Sequence, residues 1–519
     1  MALKVASFPM TGGLCQDRMA VGVSPDVWTD GSNIDFREGL AHRAKGMTNI
    51  GGNCNICSPR HLLAWNGGEN YLLGNAASEL IYAGTPYAGA ILKIGRAQTS
   101  TATHADGTPA AWVAGPAVVG QWTGGITRGS PYLSHPGYPP VHLYGGGGAL
   151  FITMPDWVAT FGAGVGAIAM RHYLEFYVAL GLRTGTPLYD PDVVNWSARG
   201  AGLVPPAAWN PLPTNAAGNA YLPGGGTLVD AAPLGQALMI YKQRSIWAMR
   251  YVGGNYIFDI KQVVGGIGAL SQNCIAVVGN THYILTQDDF MSWNGTGDPV
   301  SVIDGKVKTA LLGQITDDNY ANCFVTYLPR QREVWACYAG GGGTYPNRAV
   351  VLDLSTGYCG IRSFENLTHA AYQRELTATL TGKIGDTVFA YHDSAASPNG
   401  RFGQVETADT QLGSGAVTTS LSREQLDLGA PAVKKKVRWL RPWVDTGGGS
   451  PTVSCSVAAT DTPDATPNFT SVKTFTPGTT DKIPVMADGR YISVRFTTAA
   501  GNGWTISGFD LGYELGGQE

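Results

Sequence analysis

The sequence predicts an all-β protein: a β-propeller of about five to seven blades with a C-terminal β-sandwich and an extended N-terminal arm. Only 14% of its 519 residues are charged, against about 25% in an ordinary globular domain. Its 71 glycines and 30 prolines show no collagen period and separate short apolar runs. Such spacing favours many short strands joined by turns over long helices. The third observation is a hairpin that recurs along the chain.

Residues 1–50 predict the arm. This segment lacks a sustained apolar period until the stretch NIDFREGLAHRAKG, in which two short runs flank Glu38-Gly39. A two-residue loop that contains glycine between such runs is typical of a β-hairpin. The arm is therefore expected to end in one small hairpin.

Residues 51–405 predict the propeller. Several segments share one layout, in which a strand rich in aromatic and β-branched residues is followed by a short polar turn and a second strand. The last four of them recur about every 40–55 residues, the size of a four-stranded blade. Some 350 residues of hairpins exceed what one sandwich of seven to nine strands holds. The hairpins are 61–83, 171–182, 237–253, 273–295, 323–354 and 384–394.

Residues 406–519 predict the β-sandwich. The polar stretch ETADTQLGSGAVTTSLSREQLDLG opens this part of the chain as a linker or peripheral strand. Alternating strands then follow between glycine, proline and aspartate turns, as expected of a compact sandwich. They are KKKVRWLRPWVD, TVSCSVAATD, RYISVRFTTA and WTISGFDLGYEL.

The overall charge restricts the function. A formal net charge of −3 and a pI near 6.3 argue against a protein that grips nucleic acid, which is normally basic. They permit a protein past which nucleic acid slides without being gripped. No apolar run reaches the length of about 18 residues that a membrane helix requires, so no membrane insertion is expected, and no targeting signal is recognised. Eight dispersed cysteines suit synthesis in a reducing cytoplasm.

The stretch THYILTQDDFMSWNG contains the strongest enzymatic candidate, the adjacent acids Asp288 and Asp289. Thr286, Asp288 and Trp293 nearly fit the Asp-box of sialidase-like propellers, S/T-x-D-x-G-x-x-W, although Phe290 occupies its glycine position. An Asp-box is a turn element away from the catalytic centre. Glycosidases need two carboxylates that face each other about 5–10 Å apart, whereas neighbours in a strand point in opposite directions. The two acids are expected to cap a turn, and the chain is not expected to be an enzyme.

Two further motifs are interpreted structurally. Cys54 and Cys57 form a lone CxxC with only His61 nearby, which is short of the four ligands of a structural zinc site. Gly162, Gly164 and Gly166 resemble part of a dinucleotide loop but lie outside a βαβ unit, so a flexible turn is expected. No metal or cofactor is predicted.

One basic cluster is a candidate contact to a neighbouring subunit or to DNA phosphate. In an alternating strand its side chains divide between two faces, and tryptophans supply apolar packing. The alternative is a solvated sheet edge whose charges prevent unwanted strand pairing. The cluster comprises Lys434, Lys435, Lys436, Arg438 and Arg441.

The order of these motifs resembles one family, the tail nozzle proteins of short-tailed bacteriophages, also called tail tubular protein B or head-to-tail DNA-stabilisation proteins. VWTDGSNIDFREGLAHRAKGM (27–47) resembles their N-terminal entry, and VVNWSARG with AAWNP (193–210) is similar to a tryptophan-containing segment. Residues 240–295 look like their central blades, and RYISVRF with WTISGFDLGYEL (490–515) resembles their closing sandwich. Asp289 departs from the usual glycine, and residues 85–145 match loosely.

The resemblance implies a structural role in the virion tail. Such proteins form a hexameric ring below the portal and adaptor proteins, next to tail fibres, spikes or a needle. Double-stranded DNA is retained by the ring's channel and then passes through it without sequence recognition. A near-neutral wall would favour low friction during ejection, and a ring needs a heterologous interface that closes. The alternative is a receptor- or glycan-binding propeller of the tail, and a glycosidase is less favoured.

Overall fold

The structure, a computed structural model, places most of the chain in antiparallel sheets. It describes residues 3–49, 59–65, 70–75, 80–83, 91–92, 121–143, 151–162, 164–183, 188–200, 208–254, 256–373, 386–393, 400–408, 417–445, 452–469, 471–498 and 503–516.

Five strands lie within residues 3–49. Glu38 and Gly39 form the turn between the third and fourth, and both have positive φ angles, of 52° and 81°. Such backbone suits the type I′ turn that matches strand twist, so the predicted hairpin is present. The strands are β1 (Lys4–Pro9), β2 (Asp30–Ser32), β3 (Ile34–Arg37), β4 (Leu40–Arg43) and β5 (Gly46–Asn49).

Seven four-stranded antiparallel sheets follow within the described residues, which confirms the predicted propeller. Sheet 1 contains β6 (Pro59–Trp65), β7 (Asn70–Asn75), β8 (Leu80–Ala83) and β9 (Ile91–Leu92). Sheet 2 contains β10 (Thr123–Thr127), β11 (Ser130–His135), β12 (Tyr138–Leu143) and β13 (Phe151–Thr153). Sheet 3 contains β14 (Gly166–Tyr173), β15 (Phe176–Arg183), β16 (Leu188–Trp196) and β17 (Gly218–Tyr221). The loosely matching stretch 85–145 thus contributes strands where it is described.

The next four sheets continue the same meander. Sheets 4 and 5 contain β18 (Leu228–Leu234), β19 (Ala237–Lys242), β20 (Ser245–Tyr251) and β21 (Phe258–Gly265), then β22 (Ile275–Val278), β23 (Thr281–Leu285), β24 (Phe290–Trp293) and β25 (Val300–Ser301). Sheet 6 contains β26 (Phe324–Leu328), β27 (Glu333–Tyr338), β28 (Arg348–Asp353) and β29 (Cys359–Ser363); sheet 7 contains β30 (Leu367–Gln373), β31 (Asp386–His392), β32 (Gly400–Ala408) and the N-terminal β5.

The seven sheets close into a circle. The first strand of each sheet contacts the first strand of the next, from β6 through β30 and back to β6. Strand β5 completes sheet 7 by pairing with β32, where Met47 lies opposite Val405. Both side chains are buried in one apolar cluster with Trp335 and Phe389. The circle is therefore closed by a strand from the opposite end of the sequence, which removes one exposed sheet edge.

Two sheets form the sandwich, as predicted. The strands that follow the propeller are β33 (Thr419–Leu426), β34 (Lys435–Asp445), β35 (Val453–Thr460), β36 (Val472–Phe475), β37 (Ile483–Gly489), β38 (Tyr491–Thr498) and β39 (Thr505–Leu515). One sheet has the order β3-β4-β39-β34-β37, with β1 also paired to β39, and the other has the order β2-β33-β38-β35-β36. Four strands of the N-terminal arm are thus part of the sandwich.

Side-chain patterns explain both layers. Strand β39 alternates between buried and partly exposed positions along much of its length, which suits a sheet with one covered face. Strand β15 is buried at seven successive positions, because neighbouring blades cover both of its faces. Trp28 of the arm packs edge-on against Phe496 at 5.9 Å in the sandwich interior. The same apolar cluster continues into sheets 5 and 6 through residues such as Phe290 and Val334.

Helices are short in the described part of the chain. The α-helices are α1 (Trp157–Phe161) and α2 (Lys308–Leu312), and 3-10 turns occupy Ala20–Gly22 and Asp317–Asn322. Among the described residues, none of the helices is both long and apolar enough to cross a bilayer. Gly162 caps the C-terminal end of α1 and Gly166 begins β14, so these two glycines lie at a helix end and a strand start and not at the N-terminus of a helix.

Candidate functional site

The first strands of all seven propeller sheets surround a cavity of about 420 Å³, which we call the axial cavity. Because the inner strands contact one another in a circle, this cavity lies where a propeller has its central channel. Each inner strand supplies at least one lining residue. They include His61 and Leu62 of β6, Gly124 of β10, Arg171 of β14, Asp230 of β18, Ile275 of β22, Val325 of β26 and His369 of β30.

A partly buried ion pair crosses one side of the axial cavity. The Nε and Nη2 atoms of Arg171 donate to the two carboxylate oxygens of Asp230, each at 2.7 Å. Arg171 also donates to the backbone oxygen of Gly124 at 2.9 Å and to Oδ1 of Asn273 at 3.2 Å. Burial opposes the positive charge, but Asp230 more than offsets it and raises the pKa of Arg171. The pair joins sheets 2, 3 and 4 and leaves this side of the cavity without net charge.

Two histidines occupy another part of the cavity wall. The rings of His61 and His369 lie 4.5 Å apart between centroids, tilted by 45°. The backbone N–H of Leu62 donates to Nδ1 of His369 at 3.2 Å, which places the ring proton of neutral His369 on Nε2. Burial lowers the pKa of His369 to about 3 and that of His61 well below its ordinary value. Both rings are therefore uncharged at neutral pH.

His61 has no hydrogen-bond partner among the described residues for either ring nitrogen, although only 3% of its surface is exposed. Sequence reasoning considered His61 only as a companion of Cys54 and Cys57, which lie outside the described residues. It did not single out Arg171, Asp230, Asn273 or His369. These residues lie on, or next to, the first strands of different propeller sheets. They come together only because the seven sheets close into a circle.

The acidic turn between β23 and β24 is held mainly by a hydroxyl group. Oγ1 of Thr286 accepts hydrogen bonds from the backbone N–H groups of Asp288 and Asp289, at 3.2 and 2.8 Å. Asp288 is exposed, and among the described residues it takes part only through its backbone N–H. The expectation that both acids cap the turn is therefore wrong for Asp288.

Asp289 is 6% exposed and points the other way. Its carboxylate accepts hydrogen bonds from Ser301 at 2.8 Å and from Nζ of Lys308 at 2.6 Å. It also accepts one from the backbone N–H of Phe290 at 2.8 Å. Asp289 therefore anchors the outer strand β25 and helix α2, and the two acids do not converge on one reacting bond.

Four members of the basic cluster lie on β34, and Lys434 immediately precedes it. Strand β34 pairs with β39 on one side and β37 on the other. The solvated-edge interpretation is therefore wrong, because this strand is interior to its sheet. Lys435 is fully buried, and its Nζ donates to the backbone oxygens of Ala430 and Arg490 at 2.6 and 2.5 Å. It is not available to a partner.

The other four basic side chains of the cluster are exposed or half-exposed and lie close to acids of the same sandwich. The pairs are Lys434–Asp461 at 3.3 Å, Lys436–Asp488 at 3.9 Å, Arg438–Glu514 at 2.8 Å and Arg441–Asp481 at 3.1 Å. Such surface pairs contribute little to stability. They lower the attraction of this face for phosphate, since each positive charge already has a neighbouring negative one.

A second buried charge cluster joins the arm to the propeller, and we call it the arm network. Arg362 of β29 donates through Nε to Asp35 of β3 at 2.6 Å, and its Nη2 contacts both Asp35 and Glu406 of β32. Arg37 of β3 donates to Glu333 of β27 at 2.7 Å and to Glu406 at 3.3 Å. Three carboxylates thus share two guanidinium groups, so one carboxylate lacks a full countercharge.

Glu333 carries the excess charge of the arm network. Its side chain is fully buried, and burial, followed by repulsion from Asp35, raises its pKa to about 7. Burial would also raise the pKa of Glu406, but Arg362 and Arg37 lower it below its ordinary value. The network therefore takes up a proton near neutral pH at Glu333.

This protonation predicts a stability that depends on pH. The pKa of Glu333 is about 7 when folded, against 4.5 without the fold. Its stabilising contribution is therefore fully present below about pH 4.5 and is lost as the pH rises through about 7. We expect the free energy of unfolding to fall by about 1–3 kcal/mol from this group between pH 5 and 8.

Thermal unfolding from pH 5 to 8.5 measures that change. The Glu333→Gln variant, which cannot ionise there, should show a shallower dependence, so that its Tm gains on the wild type as the pH rises. Glu175→Gln removes an exposed carboxylate that pairs with Arg128 and should leave the wild-type slope unchanged. Parallel curves for wild type and Glu333→Gln would contradict the assignment.

Together, the sheets define a β-propeller protein with a β-sandwich attached through its arm. No protein-family model matches the chain, and no curated protein matches its sequence. Among solved structures, the chain is similar to the β-propeller domain of Cps50 (Swd1) from Myceliophteria thermophila. That similarity has 8% sequence identity and a TM-score of 0.39, and covers 69% of this chain and 99% of the other.

Proposed function

We propose that the protein is a structural subunit of a short-tailed phage tail, a nozzle that forms a ring below the portal and adaptor and conducts genomic DNA. The observation that carries the proposal is the integration of the arm into both domains. Strands β1 to β4 belong to the sandwich and β5 to the propeller. Backbone hydrogen bonds between paired strands attach the sandwich firmly to the propeller through the arm, as a pressurised conduit requires.

The segments that resemble the nozzle family fall on these connecting elements. Residues 27–47 contain β2 to β4 and the start of β5, and residues 490–515 contain β38 and β39. Residues 240–295 cover parts of sheets 4 and 5. Of these segments, 27–47 coincides with the strands that join the sandwich to the propeller.

The charge distribution supports passage of DNA rather than tight binding. The chain carries a net charge of −3, and the exposed members of its β34 cluster lie beside acids. Each phosphate contact made by a free cation releases counterions and strengthens binding to DNA. A surface with internally compensated charges offers few such contacts, which suits a wall along which DNA must slide.

Imaging of the protein with its portal and adaptor tests the proposal. Negative-stain electron microscopy and mass photometry should show six copies in a ring stacked below the portal. Asp288→Asn, which removes an exposed charge from a propeller turn, should assemble as the wild type does and serves as the control. A protein that stays monomeric and ignores the portal–adaptor complex would overturn the proposal.

A second candidate is a receptor- or glycan-binding propeller of the tail. The axial cavity of about 420 Å³ favours it, since its volume is in the range of small-ligand sites. A purified monomer that binds host-surface glycans and does not associate with the portal–adaptor complex would favour this candidate over the nozzle.

A further inference from the structure

The axial cavity contains a polar group that the described fold leaves unmatched. His61 is buried, and neither of its ring nitrogens has a hydrogen-bond partner among the described residues. Folding rarely leaves a buried imidazole in this state, because its desolvation is not repaid. Its position in the wall of a cavity, rather than in close-packed core, means that a molecule in that cavity can supply the missing bond.

The electrostatics of the cavity restrict the charge of such a molecule. Arg171 is matched by Asp230 in a two-point ion pair, and burial keeps His61 and His369 neutral. An anion or a cation placed here would lose its hydration without gaining a free countercharge, which is unfavourable. The occupant is therefore uncharged.

The remainder of the wall restricts its polarity. Much of it is aliphatic and includes Leu63, Ala232, Ile275, Val277 and Val325. A pocket with an apolar wall and a few polar groups is the usual form of a small-molecule site. A hydroxyl group suits His61 in either neutral tautomer, because it can donate to the unprotonated nitrogen or accept from the protonated one.

We infer that the axial cavity binds a small uncharged organic molecule through a hydrogen bond between its hydroxyl group and His61, with its apolar body against the aliphatic wall. The site does not depend on the proposed role in the phage tail. It would give the centre of the propeller a ligand-binding function of its own.

Three probes of similar size separate the contributions of the hydroxyl group, the apolar ring and charge to binding in the axial cavity. Benzyl alcohol has a hydroxyl group and an apolar ring, toluene lacks the hydroxyl group, and benzoate carries a negative charge. Isothermal titration or ligand-observed NMR should give benzyl alcohol an affinity about five-fold above that of toluene, the size of one net hydrogen bond. Benzoate should bind more weakly than either. Equal affinities for benzyl alcohol and toluene, or a preference for benzoate, would overturn the inference.

Substitution of the histidine assigns the preference to His61. His61→Phe keeps a planar ring but removes both nitrogens, so the affinity ratio of benzyl alcohol to toluene should fall to about one. His42→Phe makes the same change in the sandwich, where Nδ1 of His42 contacts Thr505, and should keep the wild-type ratio. Retention of the preference in His61→Phe would contradict the proposed bond.

A measurement on the wild type keeps the inference testable if His61→Phe does not fold. With ¹⁵N-labelled histidine, benzyl alcohol should shift the ring nitrogen resonances of His61, and toluene should shift them less. Unchanged His61 resonances at a benzyl alcohol concentration that saturates the protein would show that the hydroxyl group binds elsewhere and would overturn the inference.

Discussion

Replacing Arg362 with methionine is expected to lower the free energy of unfolding by about 3–5 kcal/mol, the usual cost of removing one partner from a buried ion pair. Arg362 is 1% exposed and Asp35 is fully buried. Without the guanidinium group, Asp35 and Glu406 keep only Arg37 as a cation within the arm network, and Arg37 also serves Glu333. Two buried carboxylates and the largely buried Glu406 would then share one positive charge.

Chemical denaturation and hydrogen exchange would measure this effect. The unfolding midpoint of Arg362→Met should fall, and protection should be lost first in the β3–β4 hairpin, because Asp35 and Arg37 lie on β3. Arg250→Met is the matched control, since Arg250 is exposed on β20, and should change stability by less than about 0.5 kcal/mol. A loss in Arg362→Met as small as that of the control would disprove the structural role of the network.

Arg171→Met should produce a loss of similar size at the propeller axis, about 3–5 kcal/mol. The side chain of Asp230 is 2% exposed, and it would keep hydrogen bonds from the backbone N–H groups of Asn273 and Ala231 but lose its cation. The hydrogen bond to Gly124 would also be lost. The methionine fills much of the same volume, so the loss reports mainly the uncompensated charge.

A double variant separates charge from packing. Asp230→Asn removes the negative charge and keeps one side-chain oxygen as an acceptor. Arg171→Met with Asp230→Asn should therefore be more stable than Arg171→Met alone, although it carries one more substitution. Denaturation curves of the wild type, both single variants and the double variant give the coupling between the two sites. Additive losses would show that the two side chains do not act as a pair.

Local sequence patterns are sufficient to predict much of the architecture. Turn residues flanked by apolar runs indicate a hairpin wherever both strands are neighbours in sequence, as for β23 and β24 or β3 and β4. The alternation in β39 indicates a half-covered sheet in the same way. These signals act over a few residues, and the propeller repeats them often enough to reveal its class.

Long-range partners leave no such local signal. Nothing within KKKVRWLRPWVD states that β39 and β37 cover both of its edges, so the location of Lys435 in the interior could not be predicted. Likewise, His61 and Arg171 appear as isolated residues until seven inner strands meet. The prediction of the capping residue at Thr286 was wrong for a more local reason. A threonine and two aspartates can all cap a turn, and only the three-dimensional structure shows that the Thr286 hydroxyl does so.

The route of the N-terminal strands has a consequence for synthesis on the ribosome. Arg37 and Glu406 are 369 positions apart, and His42 and Thr505 are 463 apart. Strands β1 to β5 emerge first, yet their partners emerge last, so neither the propeller circle nor the sandwich can be completed during most of translation. Such distant pairing slows folding and leaves strand edges open to other chains. We therefore expect nascent copies to need protection of these edges until release, and refolding from denaturant should be slow and concentration-sensitive.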